Sequence, residues 1–574
     1  MKLKSLYLLL LLLGEIILAT NCSNEENITP KITLNAQSSI LQVGSKGNSD
    51  QILAFTATHP WQVSIDCEWI ALSPKSGPAG EASIHLLTKE NNLTGEERTA
   101  TLLVTLPATN IRKAITIRQS SISMLDVAQT SYSLTSEKQD IEILFTTNLA
   151  SPNLQISPVA STDLSWITLK SNNTKALQEG KVTLAIQNNA THQPRSASFV
   201  LQVMFGGIEM PVQSSTITIN QEATPIETST DYSADKQVTQ LQKHTLGKGI
   251  PLVFMGDGFL DKDIESGRYR QVMEKAMQNF FTEEPVKSLQ AYFDVWYINA
   301  VSASNSFGNH STCFDCRLER GGSTLIEGDH QTVIEYALEI PEFQIQPELL
   351  NEATCIVVLN TEEYAGTCYF GFNDNTNITN LAIGYCPMIY GLEDDMFRRV
   401  LCHECVGHGF AKLLDEYSYQ EYGAIPRSEI ISIQNQQQTL GWAANVDFTN
   451  DKSRVLWNQF LQDERYQNAD NYGEILGVYT GACTYWSGAY RPTEESMMRS
   501  NIHGFNAPSR EAIYKRVMST AHDDNWTYTY DEFTTFDLAH LPTPIKITTR
   551  ASDNEMSRPF SPPQFTNMDI SNLK

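Results

Sequence analysis

The 574-residue sequence predicts a multidomain protein, with two all-β sandwiches in tandem followed by a larger mixed α/β domain. Three observations support this division. Residues 31–222 alternate apolar and polar positions in short runs broken by Gly, Pro, Asn and Ser, the period-two pattern of half-buried strands. Within that region, short stretches recur about a hundred residues apart. After residue 240 the pattern changes to buried-type strands alternating with helical periodicity, as in α/β domains.

The chain opens with MKLKSLYLLLLLLGEIILATN: two lysines, then a leucine-rich run too short and too early for a stable membrane span. Residues 1–21 therefore read as an export signal. The ending Ala19-Thr20-Asn21-Cys22 resembles the lipobox of bacterial lipoproteins, with Asn21 where a small residue is usual. That resemblance implies that Cys22 is lipidated and that the protein is held at the outer membrane, exposed at the surface, meeting the bilayer only through its lipid. Residues 22–30, acidic and polar, are the expected tether.

Lys and Arg number 41 against 66 Asp and Glu, a net charge of −25, and no basic run follows the first few residues. The electrostatic footprint for a phosphate backbone is missing, so no nucleic-acid partner is expected. Of ten cysteines, nine follow Cys22, an odd number for an exported chain. Cys368 and Cys386 flank an expected hairpin and are placed to bridge. Cys313 and Cys316 form a lone CxxC without a second pair, and Cys402 and Cys405 read as packing residues.

Residues 31–122 and 123–222 are the two sandwiches. Trp61–Ile65, Thr101–Val104 and Ile115–Ile117 are typical strands of the first. EWIALSPKSG at 68–77 is answered by SWITLKSNNT at 165–174, and ITIRQ at 115–119 by ITINQ at 217–221. Two units of around seven strands each point to immunoglobulin-like sandwiches. The WI pair, the SPKSGPAG turn and the closing ITIxQ resemble BACON modules. This implies spacers that display an enzyme, with glycan or mucin contact as their second use; the tryptophans are expected in the sandwich cores.

Residues 223–240 are polar and proline-bearing, as linkers are. The α/β domain follows over 241–540. It begins with the strand Ile250–Met255 and a Gly256-Asp257-Gly258 turn, continues with a helix carrying Tyr269, Val272, Met273, Ala276 and Phe280, and returns through the strand Phe293–Ile298. Further strands are expected at 355–360 and 380–386. Residues 541–574 form a C-terminal extension to which no role is assigned.

The chemistry concentrates in LCHECVGHGFAKLLDEY at 401–417. Glu393, Asp394 and Asp395 precede it with negative charge that a helix N-terminus favours. His403 and His408 flank Glu404, but five residues apart rather than the four of HExxH. Four residues rotate about 400° and leave two imidazoles facing one metal, whereas five rotate about 500°. A π-bulge absorbs the extra residue and restores the facing, and Gly407 is placed to ease the distortion.

Neutral His403 and His408 would then bind one Zn²⁺, and Glu404 would take the proton of an attacking water. A third ligand is needed. Asp415 is the expected one, with Glu416 as the alternative or else as a group orienting a ligand histidine. Ser496-Met497-Met498 resembles the methionine turn beneath a metzincin zinc. Tyr485, Tyr490 and His503, around that turn, are the candidate oxyanion donors.

IPLVFMGDGF, MEKAMQNFFTEEP, YAGTCYFG, HECVGHGFAKLLDEY and YRPTEESMMRSN, in that order over residues 245 to about 520, resemble the IgA-peptidase family of secreted bacterial zinc metallopeptidases. The resemblance implies a metzincin-like metallopeptidase fold, zinc on His403 and His408, Glu404 as catalytic base, and endopeptidase hydrolysis; the expected substrates are host or dietary proteins and glycoproteins, immunoglobulin-like ones among the candidates. The family's usual spacing is HExGH, where this chain has HExxGH. Two other readings are a catalytically inactive glycan- or mucin-binding surface protein and an exopeptidase of dipeptidyl type.

Overall fold

The computed structural model describes residues 29–574 except 36–38, 150–152, 175–177, 190, 204–211, 309, 376, 550 and 552–557. The signal segment and Cys22 lie outside these. The chain divides into two compact units, residues 1–189 with 195–222, and residues 190–194 with 223–574.

The first unit holds two sandwiches, each built of one four-stranded and one five-stranded sheet. In the first sandwich, Leu53, Phe55, Ile84 and Leu86 of one sheet close on Val63, Leu102, Val104 and Ile117 of the other. The strand count exceeds the expected seven because pieces such as Ser76–Gly77 and Val212–Gln213 are too short to show a period. The repeated sequence signals have a common structural cause. Arg98 lies over the Trp69 ring at 4.5 Å and donates from Nε to Gln119 Oε1 at 2.7 Å. Arg195 repeats this over Trp166 at 4.3 Å, donating to Gln221 Oε1 at 2.8 Å. The glutamine that closes each ITIxQ thus orients an arginine that covers the tryptophan of each WI pair. Trp166 is buried as expected, whereas Trp69 is only half-buried, and Trp61 fills the first core instead.

The second unit is organised by a seven-stranded sheet: β1 Val238–Gln242, β2 Ile250–Asp257, β3 Phe293–Ile298, β4 Thr354–Leu359, β5 Thr367–Phe370, β6 Ala382–Pro387 and β7 Gln564–Phe565. Their spatial order is β1-β3-β2-β4-β6-β5-β7. The central strands β3, β2, β4 and β6 run parallel, and β5 runs antiparallel to β6. Every residue of these central strands is buried, the continuous apolar signature of a sheet covered on both faces. Leu252, Phe254, Ile356 and Val358 enter the core on one face, and Val253, Met255, Val357 and Leu359 the core on the other, as the two-residue period requires.

Residues 223–240, expected as a linker, group instead with this unit, and β1 at their end adds an antiparallel edge to β3. The GDG turn also has a structural account. Asp257 is buried, and its carboxylate accepts the backbone N–H groups of Phe314 and Cys316 at 2.9 and 3.2 Å, so the CxxC segment is a loop wrapped on a carboxylate. All nine cysteines after Cys22 are free thiols; Cys368 and Cys386 do not bridge, and Cys386 Sγ lies 3.5 Å from Cys405 Sγ. Among the described residues, no helix is long and apolar enough to cross a membrane.

Candidate metal centre

The helix α1, Asp395–Leu401, starts at Asp394, whose side chain accepts the Met396 N–H at 3.0 Å as an N-cap. It continues directly into a π-helix over Cys402–Phe410. The wider turn takes up the fifth residue between the histidines and aims both rings the same way. Gly407 sits where a side chain has no room: a Cβ there would lie 2.3 Å from the Met498 sulfur. Met498 belongs to the short helix α2, Met497–Ser500, so the methionine turn packs directly beneath the histidine pair.

His403 Nε2 and His408 Nε2 stand 3.1 Å apart, and Asp415 Oδ1 lies 3.2 and 3.3 Å from them. All three residues are buried. Ligands at about 2.0–2.1 Å around a tetrahedral zinc are separated by about 3.3 Å, so this triangle has the edges of such a coordination face. His403 Nδ1 lies 2.9 Å from the Met497 carbonyl, and His408 Nδ1 2.7 Å from that of Leu413. Each Nδ1 is thereby the donating nitrogen, which leaves both Nε2 lone pairs facing each other and the carboxylate. A proton could bridge one edge of that triangle, whereas a divalent cation satisfies all three at once.

Glu404 is fully buried, and neither of its carboxylate oxygens has a hydrogen-bond partner among the described residues; Asp415 Oδ2 is likewise unpartnered. Gly366, just before β5, leaves room for Glu404: a Cβ at that glycine would meet Oε1 at 2.9 Å. Burial, reinforced by the Asp415 charge, drives the Glu404 pKa well above the ordinary carboxylate range. Burial also works against the Asp415 carboxylate, but when the triangle holds protons in place of a metal, the charge at His408 and hydrogen bonds from the two rings outweigh burial and hold its pKa low. The two acids are thus pushed apart, one toward proton uptake and one toward a permanent charge.

Glu416 does not orient a histidine. Its buried carboxylate accepts from Asn445 Nδ2 at 2.9 Å, Ser496 Oγ at 2.7 Å and Asn506 Nδ2 at 3.0 Å, and its N–H donates to the Met498 carbonyl at 2.9 Å. It ties the segment after the π-helix to the methionine turn. Of the expected oxyanion donors, Tyr485 is engaged elsewhere, donating to Glu429 at 2.6 Å; His503 Nδ1 lies 3.5 Å from Glu474, and Tyr490 pairs through its backbone with Asp447. Tyr417, directly after the acidic pair, is not singled out by the sequence pattern although the DEY run marks it. Its hydroxyl donates to the Phe560 carbonyl at 2.8 Å, and burial together with the neighbouring Asp415 raises its pKa well above the usual tyrosine value.

Residues 240–467 match the family described as IgA Peptidase M64. Residues 32–121 match the viral BACON domain, and residues 156–222 match BACON, a putative N-terminal binding domain. No curated protein matches the chain. Among solved structures, a Bacteroides ovatus GH5 xyloglucanase in complex with a XXXG heptasaccharide shares 24% identity, over 16% of this chain and 19% of that one, at a TM-score of 0.15. A protein of unknown function from Porphyromonas gingivalis W83 shares 13% identity over 33% of this chain and 99% of that one, also at 0.15. Human protocadherin-24 EC1-2 shares 12% over 34% and 99%, at 0.22. Similarities this slight carry no argument about activity. The matches follow one another in the order expected from the sequence: two BACON matches in front, then residues 240–467 matching the IgA peptidase M64 family, a family of generally metal-dependent peptidases.

Proposed function

We propose that this protein is a zinc-dependent endopeptidase, lipid-anchored through Cys22 at the bacterial outer membrane and cutting host or dietary glycoproteins. The observation that carries the reading is the triangle of His403 Nε2, His408 Nε2 and Asp415 Oδ1, beside the unpartnered carboxylate of Glu404. Two imidazoles and a carboxylate are borderline ligands that suit zinc. A zinc ion held there supplies Lewis-acid activation of water and of the peptide carbonyl. His403, His408 and Asp415 hold it, and the Met497 and Leu413 carbonyls keep both rings in the ligating tautomer.

Glu404 accepts the proton of the attacking water and returns it to the leaving amine. Burial raises its proton affinity, which favours taking up that proton. Tyr417 donates its hydroxyl hydrogen bond to the carbonyl oxygen as negative charge develops there, the role it already plays toward the Phe560 carbonyl. The methionine turn under Gly407 supports a metzincin-like site. Ahead of this site, the BACON modules serve as spacers and, as relatives of a putative binding domain, as contacts for glycans.

Incubation of the zinc-loaded full chain and its Glu404→Gln variant with quenched peptide libraries and native IgA tests the reading. Internal cuts by the parent alone support an endopeptidase. Stepwise release from N-termini would indicate the exopeptidase, and an inert parent that binds glycan would indicate the inactive surface binder.

A further inference from the structure

The C-terminal segment Arg558–Phe565, with the sequence RPFSPPQF, runs along the metal cluster from one end of β5 to the other. Tyr364, just before β5, donates its hydroxyl to the Arg558 carbonyl, which also accepts from Asn501 Nδ2 at 3.2 Å. The Phe560 ring, only 1% exposed, stacks on Tyr364 at 5.0 Å and meets the His403 ring edge-on at 5.5 Å. Its carbonyl takes the Tyr417 hydroxyl. Pro562 and Pro563 then form one wall of a cavity of about 370 Å³ whose other walls include Asp415, Leu414 and Glu429. Gln564 and Phe565 finish as β7, parallel to Tyr369 and Phe370, and Thr566 N donates to the Phe370 carbonyl at 2.9 Å.

Three features distinguish this from ordinary tail packing. The segment is extended and adds a strand to the free side of β5, the way an edge strand takes up a peptide. Its carbonyls at 558 and 560 are held by side chains from the floor of the site, contacts that any peptide could make. Its one deeply buried aromatic ring enters the domain core at the point where it also touches a member of the metal cluster.

We propose that Arg558–Phe565 is a resident occupant of the peptide groove, and that the groove takes extended peptides that place an aromatic side chain against His403 and its carbonyl on Tyr417. The proposal rests on the peptidase reading for what the groove is used for, but not for the binding itself. A free peptide enters only as the tail leaves, so its apparent affinity is lowered by the fraction of molecules with the tail released.

The test uses fluorescence anisotropy of labelled RPFSPPQF with the zinc-loaded full chain, its Phe560→Ala variant and a chain ended after Ala551, each checked for folding by thermal melting. The expected result is binding to both variants at least about tenfold tighter than to the parent. It is accompanied by competition from other extended peptides with an internal aromatic residue and not from their alanine counterparts. Equal binding to the parent and variants, or no binding to a folded variant, overturns the proposal. If the shortened chain does not fold, Phe560→Ala decides alone. Peptide binding without cleavage of any library member would leave the groove assignment standing and remove the peptidase reading. Strong cleavage by parent and variants alike, with no peptide bound, would do the reverse.

Discussion

His403 Nε2 and His408 Nε2 lie 3.1 Å apart although five residues separate them in the chain, because the helix that carries them is π-helical from Cys402 to Phe410. The distance is that of two ligands on one ion, and we expect it to depend on the close approach of Gly407 to Met498.

Substitution Gly407→Ala tests that dependence. The added methyl would overlap the Met498 sulfur and press toward the Phe505 ring, so either the methionine turn retreats or the π-turn narrows. Overpacking of this kind costs about 1–3 kcal/mol. We expect a fall in melting temperature together with weaker zinc binding in a competition titration with a chelating dye. Unchanged affinity for zinc would show that the turn does not set the ring positions.

Glu416 connects three donors from separate segments, Asn445, Ser496 and Asn506, through one buried carboxylate. Glu416→Ala strands these donors, and a buried unpaired polar group costs about 1–3 kcal/mol. The expected loss is a few kcal/mol of stability in urea titration, with zinc still bound at one ion per folded chain. Glu416→Gln, which keeps one acceptor oxygen, should lose less; an equal loss would assign the effect to charge rather than to unpaired donors.

Lys412 gives a pH dependence of defined sign. Burial lowers its pKa from about 10.5 to about 7, although Nζ donates to the Asn380 carbonyl at 2.8 Å and to that of Gly409. Between those values the unfolded chain holds a proton that the folded chain has released, so stability rises with pH across the window and the penalty is largest below 7. A tenfold difference in proton affinity between the folded and unfolded chain corresponds to about 1.4 kcal/mol. Urea midpoints of the parent and of Lys412→Met, compared from pH 7 to 9.5, should converge or cross as the parent gains by a few kcal/mol relative to the variant. Parallel profiles would mean that Lys412 stays charged in the fold.

The sequence revealed most where a short local pattern carried the information. The five-residue histidine spacing called for a π-bulge, and one is present; ITIxQ and WI recurred because each glutamine, arginine and tryptophan forms one local cluster in each sandwich. Relationships made by distant segments were not legible. Glu416 meets Ser496 and Asn506, eighty and ninety residues away, and no spacing rule connects them. Segment 223–240 has the composition of a linker because an edge strand needs little apolar surface, yet its end pairs with β3. Tail residues 558–565 carried no legible role for a related reason: prolines suppress any strand period, and their partners lie near residues 364, 403 and 417.

The most direct test is elemental analysis of the full chain alongside His408→Ala and Glu404→Gln, with peptidase activity measured on the same samples. The account predicts one zinc per chain in the parent and in Glu404→Gln, little or none in His408→Ala, and activity in the parent alone, with the Glu404→Gln rate down by about 10²–10⁴-fold. A parent that takes up no zinc from a metal-supplemented buffer, or a His408→Ala variant that holds zinc as well as the parent does, would contradict it.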